Sequence, residues 1–185
     1  MVRLFDPSRY GATAAGFRSY GPLLRFDHHR GREDGKPGDD AERGIYYAAV
    51  TLSGCLVEIF GDTGVVDLHR HHVASPILQR DLRLLDLRHN GAMKAGTKAA
   101  IAKIADRSLS QAWSRHFYET PEVYSDLDGV IYLNAHNDED AIALYERASD
   151  ASECSPERVM RLNDEALRAA VLEAADDNDL VVDDI

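Results

Sequence analysis

A chain of 185 residues with 44% hydrophobic and 29% charged side chains can bury one full core, which excludes a disordered or fibrous polypeptide. Its two cysteines, Cys55 and Cys154, are too few for a disulfide framework or a cysteine zinc site, and no apolar run approaches membrane-spanning length. The first residues, MVRLFDPSRY, carry no signal-peptide pattern, so a cytoplasmic, reduced protein is the expectation, with no membrane partner.

The net charge of −11 is unevenly placed. From Asp138 onward there are fifteen Asp and Glu against four Arg, so the excess negative charge lies in the last quarter. The first 32 residues carry six Arg (Arg3, Arg9, Arg18, Arg25, Arg30, Arg32) against Asp6 and Asp27. An acidic chain argues against direct nucleic-acid binding, whereas an Arg-rich opening suits a small anionic ligand. The acidic stretch is expected on an outer face, away from any such anion.

In chain order, Arg3–Asp6 reads as a short first strand, Gly21-Pro22 as a turn and Leu23–Phe26 as an extended segment. Arg30–Arg43 is polar and reads as a surface loop. Gly44–Gly61, GIYYAAVTLSGCLVEIFG, reads as a strand, a joint and a helix. Ile45–Val50 is the strand, Thr51 the helix cap and Gly61 the stop, with Leu52, Cys55, Leu56 and Ile59 on one helical face. Glu58 stands between Val57 and Ile59 in this apolar run. It is either a carboxylate on the solvent face or one that is paired or used.

Val65–His72 ends in HRHH; no acid at suitable spacing completes a zinc set with His69, His71 and His72, so a loop is expected and no metal. His28 and His29 read as turn residues. Asp81–Leu87 reads as a buried strand, Thr97–Ala105 as a short helix and Ser108–Glu119 as a second helix capped by Ser108. Leu109, Trp113 and Phe117 form its apolar stripe, with Trp113 in the core. Gly129–Asn134 and Ala141–Glu146 read as a hairpin, Arg158–Leu162 as a last strand and Asn163–Asp176 as a helix, with Asn178–Ile185 frayed. Strands and short helices alternate without a βαβ rhythm, and no Gly-rich nucleotide fingerprint or GxSxG elbow is present. A single α+β domain over residues 1–185 is expected.

Several segments taken together are similar to the RES domain, a family named for its Arg, Glu and Ser. Arg3 matches its opening Arg, and Leu24-Arg25-Phe26-Asp27 matches its G-R-F/W-N/D segment without the Gly. Tyr47-Ala48-Ala49 through Cys55-Leu56-Val57-Glu58 matches its Y-L-A…A-x-x-E element, with Cys55 in place of the usual Ala. Ser108 and Gln111 match its S-x-x-Q helix, and Asp128-Gly129-Val130-Ile131-Tyr132 its DG-hydrophobic-hydrophobic-Y strand. Leu133-Asn134-Ala135-His136-Asn137 departs from the Ser-rich turn that often follows. The resemblance runs over about residues 3–147, leaving 148–185 as an acidic extension with its helix near 163–176.

The resemblance implies an ADP-ribosyltransferase-like mixed sheet with short helices. It also implies an enzyme that cleaves the nicotinamide–ribose bond of NAD, the toxin of a pair with a helix-turn-helix antitoxin that covers the site. Glu58, Arg25, Ser108 and Tyr47 are then the catalytic candidates, and Arg3, Arg25, Tyr47 and Ser108 the NAD-binding ones. A carboxylate suits the positive charge that develops on the ribose, and a guanidinium suits the pyrophosphate. No cofactor is needed beyond NAD as substrate, with inorganic phosphate as co-substrate if the acceptor is phosphate rather than water. A fold-sharing binding protein without turnover, a protein ADP-ribosyltransferase and an acidic interaction protein are the alternatives. The oligomeric state is left open, a homo-oligomer included.

Overall fold

A computed structural model describes residues 1–183. In chain order its elements are β1 (Arg3–Phe5), β2 (Tyr20–Gly21), β3 (Gly38–Asp39), β4 (Ile45–Ala49), α1 (Leu52–Phe60), β5 (Val65–Asp67), β6 (His72–Ala74), β7 (Ile77–Leu78), β8 (Leu84–Asp86) and α2 (Gly91–Lys94). A 3₁₀ turn at Ala99–Ala102 leads to α3 (Arg107–Glu119), α4 (Pro121–Tyr124), β9 (Gly129–Leu133), β10 (Asp140–Tyr145), β11 (Ser152–Glu153), β12 (Val159–Arg161), α5 (Glu165–Asp176) and β13 (Val181–Asp183). The protein is α+β, built of short helices and several small sheets.

The central sheet has the order β4-β10-β9-β8, antiparallel except where β8 joins β9. Its register is what positions the site. Tyr47 pairs with Ala143 and Ala49 with Ala141; Ala141 in turn pairs with Tyr132 and Ala143 with Val130. Side chains opposite one another across a ladder, and two apart along a strand, share a face. Tyr47, Ala49, Ala141, Ala143, Val130 and Tyr132 therefore all lie on one side. Tyr46, Ala48, Ile142 and Leu144 lie on the other and pack with Ala148 and Ala151. The end of β4 is stitched to a second sheet, β1-β6-β12, by reciprocal bonds between the backbones of Val2 and Ala49 at 2.8 Å.

Helix α1 follows from local chemistry. Thr51 is extended and its hydroxyl accepts the Gly54 N–H at 2.9 Å, satisfying one of the free donors of the first turn. Gly61 ends the helix in a right-handed conformation. It is needed there for space, because a Cβ would lie 2.6 Å from the His136 ring. The buried face is Cys55, Leu56 and Phe60, with Val57, rather than the one that includes Ile59, which is 38% exposed. Helix α5 accounts for the difference. Its Val171, Ala174 and Ala175 cover Leu56 and Phe60, which rotates Glu58 and Ile59 toward the open side.

Other expectations are corrected. Residues 23–26 form a turn around the Asp27 carboxylate, which accepts the N–H groups of Leu23 and Leu24, instead of an extended segment. The stretch 97–105 yields only the 3₁₀ turn, and Asp81–Leu87 supplies the short edge strand β8, partly exposed. Helix α3 is capped by Asp106, whose carboxylate accepts the Ser108 N–H at 2.9 Å, not by Ser108. Its inner face is Ser110, Ser114 and Phe117, with Leu109 38% exposed. Residues 178–183 are not frayed, because β13 pairs in parallel with β5. Residues 184 and 185 of that expectation lie outside the described ones. The acidic stretch is not all peripheral either, since β10 belongs to it and is a central strand.

Candidate active site

The face that carries Tyr47 and Tyr132 opens beside α1 into a small cleft. Leu4, Tyr47, Cys55, Glu58, Ile59 and Tyr132 line it, over Ala49 and Ala141. Ala49 on β4 and Ala141 on β10 leave the space; Tyr47 on β4 and Tyr132 on β9 wall it. Glu58 is the one charged residue in the lining. It belongs to the exposed side of α1, yet burial of its carboxyl raises its pKa above the ordinary 4.5. The charges of Arg25 and then Arg107 oppose that rise, and Asp62 adds to it. The carboxylate therefore has two guanidinium groups near it and no hydrogen-bonded ion-pair partner among the described residues.

Arg25 projects from the turn that Asp27 organises. The buried Asp27 carboxylate also accepts two bonds from Arg18 Nη2 at 2.8 Å and one from the Tyr47 hydroxyl at 2.9 Å. Tyr47 Oη accepts in turn from the Phe26 N–H at 3.0 Å. Tyr47 thus presents its ring to the cleft while its hydroxyl pins the segment that carries Arg25. Burial holds that hydroxyl protonated. Helix α3 clasps the same turn from outside. Gln111 Nε2 donates to the Leu24 carbonyl at 3.0 Å, Ser114 Oγ to the Phe26 carbonyl at 2.7 Å and Arg107 Nη1 to the Leu23 carbonyl at 3.4 Å. Positions 107, 111 and 114 follow the helical period, so one stripe of α3 reads three carbonyls of the turn. Arg25 Nη1 donates to the Ile104 carbonyl.

The structure thus places Glu58 and Tyr47 in the lining of one cleft; Arg25 lies outside that lining and acts on Glu58 through its charge. It places Ser108 elsewhere, exposed in the first turn of α3 with its hydroxyl donated to Asp106 at 2.6 Å. Arg3 also stands apart. It is 7% exposed and its guanidinium stacks 4.1 Å over Tyr46, on the sheet face opposite Tyr47. Three residues that sequence reasoning did not single out as site residues enter here: Arg107, Ser114 and Tyr132. The signals for them were the i, i+4, i+7 polar spacing on α3 and the two-residue alternation of GVIYL. Where the resemblance expects a Ser-rich turn, Asn134 is buried and accepts the N–H groups of His136 and Asn137 at 2.9 and 3.0 Å, closing the β9–β10 hairpin.

The histidines serve the architecture. His28 and His29 are buried rather than exposed turn residues. His28 Nε2 bonds Glu146 at 2.9 Å and His29 Nε2 the Arg18 carbonyl at 3.0 Å, and burial lowers both pKa values. His71 packs edge-on against Phe60 and His72 against Phe5. Among the described residues no group of three or more His, Cys, Asp or Glu could hold a metal ion, and no helix is long and apolar enough to cross a membrane.

In comparisons with known proteins, the family model described as the RES domain matches residues 2–170 of the 185. No curated protein and no solved structure matches the chain.

Proposed function

The chain belongs to the RES-domain family, and from that premise we propose that it is an enzyme that consumes NAD by cleaving the nicotinamide–ribose bond, and the toxin of a toxin–antitoxin pair. The observation that carries the chemistry is the Glu58 carboxylate in the lining of an aromatic slot, within the electrostatic reach of Arg25 and Arg107.

Each part has a task in that reaction. The nicotinamide ring is flat and cationic while it is bound to the ribose, and a slot walled by Tyr47 and Tyr132 suits such a ring. The pyrophosphate is a dianion that cannot enter an apolar slot without cost and stays at the mouth, where Arg25 can bind it through parallel hydrogen bonds. That puts the scissile bond between them, at Glu58. As the bond lengthens, its electron pair returns to the ring nitrogen and positive charge grows on the ribose. A fixed carboxylate stabilises that charge more than it stabilises the ground state, which is the condition for a faster reaction. The Tyr47 hydroxyl and the α3 clasp hold the Arg25 turn, so this geometry exists before the substrate arrives. In this reading Ser108 and Arg3 support the architecture, Ser108 beside the α3 cap and Arg3 under the sheet.

The test is incubation of the purified protein with NAD, with and without inorganic phosphate. Nicotinamide release supports the reading. ADP-ribose-1″-phosphate as the second product identifies phosphorolysis, and free ADP-ribose identifies hydrolysis. No nicotinamide under either condition refutes the enzyme.

A further inference from the structure

One buried hydroxyl beside the cleft is left without a partner. Tyr132 is 1% exposed and lines the cleft with Glu58, and its hydroxyl has no hydrogen-bond partner among the described residues. Buried phenols ordinarily find a partner, because an unmade bond costs more than a typical made one contributes. The other two fully buried tyrosines follow that rule: Tyr46 donates to the Ala14 carbonyl at 2.9 Å, and Tyr145 meets Ser114 Oγ at 3.2 Å. Burial also raises the Tyr132 pKa well above its ordinary value, so the hydroxyl keeps its proton and is available to donate.

The surroundings restrict what can receive that proton donor. The slot floor is Ala49 and Ala141, and Phe26 packs on the Tyr132 ring with centroids 4.6 Å apart. The occupant beside Tyr132 is therefore flat and largely apolar, and it must bring its own acceptor. Glu58 cannot share the site with a carboxylate without repulsion, so that acceptor is neutral.

We propose that the Tyr132 hydroxyl donates to the carboxamide oxygen of the nicotinamide ring, and that this bond selects the amide-bearing ring. The inference rests on the NAD-cleaving reading above. It also gives the hydroxyl a share in the chemistry. When the ring nitrogen recovers its electron pair, the ring passes from cation to neutral molecule and its carbonyl oxygen becomes a better acceptor. The bond is then stronger in the transition state than in the bound substrate.

Tyr132→Phe removes one oxygen and keeps the ring, so it isolates this bond. The variant and the wild-type protein are compared on NAD and on an analogue in which an unsubstituted pyridine replaces nicotinamide, each assayed by release of the free base. The expected result is a loss of roughly tenfold in kcat/KM for NAD, the scale of one neutral hydrogen bond. Cleavage of the pyridine analogue stays within about twofold of wild type, since that substrate makes no such bond. The thermal midpoint stays level or rises, because an unpaired donor has been removed. An equal loss on both substrates marks a structural role and overturns the proposal, as does no loss on NAD in a folded variant. If the wild-type protein releases no base from NAD, the enzyme reading fails and takes this inference with it; a wild-type protein that cleaves NAD with Tyr132→Phe unaffected leaves the enzyme standing and removes only Tyr132.

Discussion

At the scale of single residues, the decisive group is one carboxyl. Glu58→Gln keeps the shape but cannot present full negative charge to the ribose, so kcat falls on the order of a hundredfold or more while NAD affinity is largely kept. The assay is nicotinamide release at saturating NAD, with binding measured separately. Because burial raises the Glu58 pKa, the carboxylate is lost on acidification sooner than an ordinary Glu. The acid limb of kcat/KM accordingly lies above pH 4.5, and a limb at or below that value removes Glu58 as the group responsible. Arg25→Ala removes a contact made before the transition state as well as in it, so it raises KM more than it lowers kcat. That Glu58 and Tyr47 meet at one cleft was legible in the sequence, because one strand–helix unit carries both. Ser108 was misread for a physical reason: Asp106 and Ser108 are both good caps, and propensity alone does not say which one begins the helix.

At the scale of elements, the α3 cap makes that distinction measurable. Asp106→Ala removes the acceptor for the Ser108 N–H and destabilises the protein more than Ser108→Ala does. Denaturant unfolding of the two variants orders them, and equal losses would reject the assignment. The same helix carries the clasp on the Arg25 turn, so Gln111→Ala loosens that turn and raises KM for NAD, read from nicotinamide release over a range of NAD, whereas Ser114→Ala also leaves the buried Phe26 carbonyl unpaired and lowers the thermal midpoint. Strands β9 and β10 were readable because two apolar runs of strand length are joined by a polar turn. The stretch 97–105 was not, because its alanines and lysines favour a helix that Gly96, at φ +81°, and the carbonyl of Ile104 bonded to Arg25 leave no length to form.

At the scale of the whole molecule, charge networks join distant segments. Burial would raise the Glu146 pKa, but hydrogen bonds from His28, Tyr118 and the Gly44 N–H bring it down to about 2. That contribution to stability is fully present above the ordinary 4.5 and is lost as pH falls toward 2. His28 adds to the trend. Its folded pKa is depressed, so the unfolded chain takes up its proton first as pH falls through 6.5 and the folded state loses ground. Unfolding free energy should therefore decline in two stages, one below pH 6.5 and one below pH 4.5, with the second stage smaller in Glu146→Gln. A flat profile between pH 7 and 2 would show that the network adds nothing. Sequence reading missed how the last quarter of the chain is used, because an acidic composition describes its solvent side. The inner side of α5 is Val171, Ala174 and Ala175, three small apolar positions whose partners on α1 lie far away along the chain.

That last packing has a consequence in time. During synthesis, α1 and its Glu58 emerge long before α5 exists, at roughly 5–20 residues per second. Until the ribosome has passed Asp176, Leu56 and Phe60 lack the part of their cover that α5 supplies, and until it has passed Asp183, β5 has no parallel neighbour. The packing of the helix that carries Glu58 is thus completed only by segments made far later along the chain.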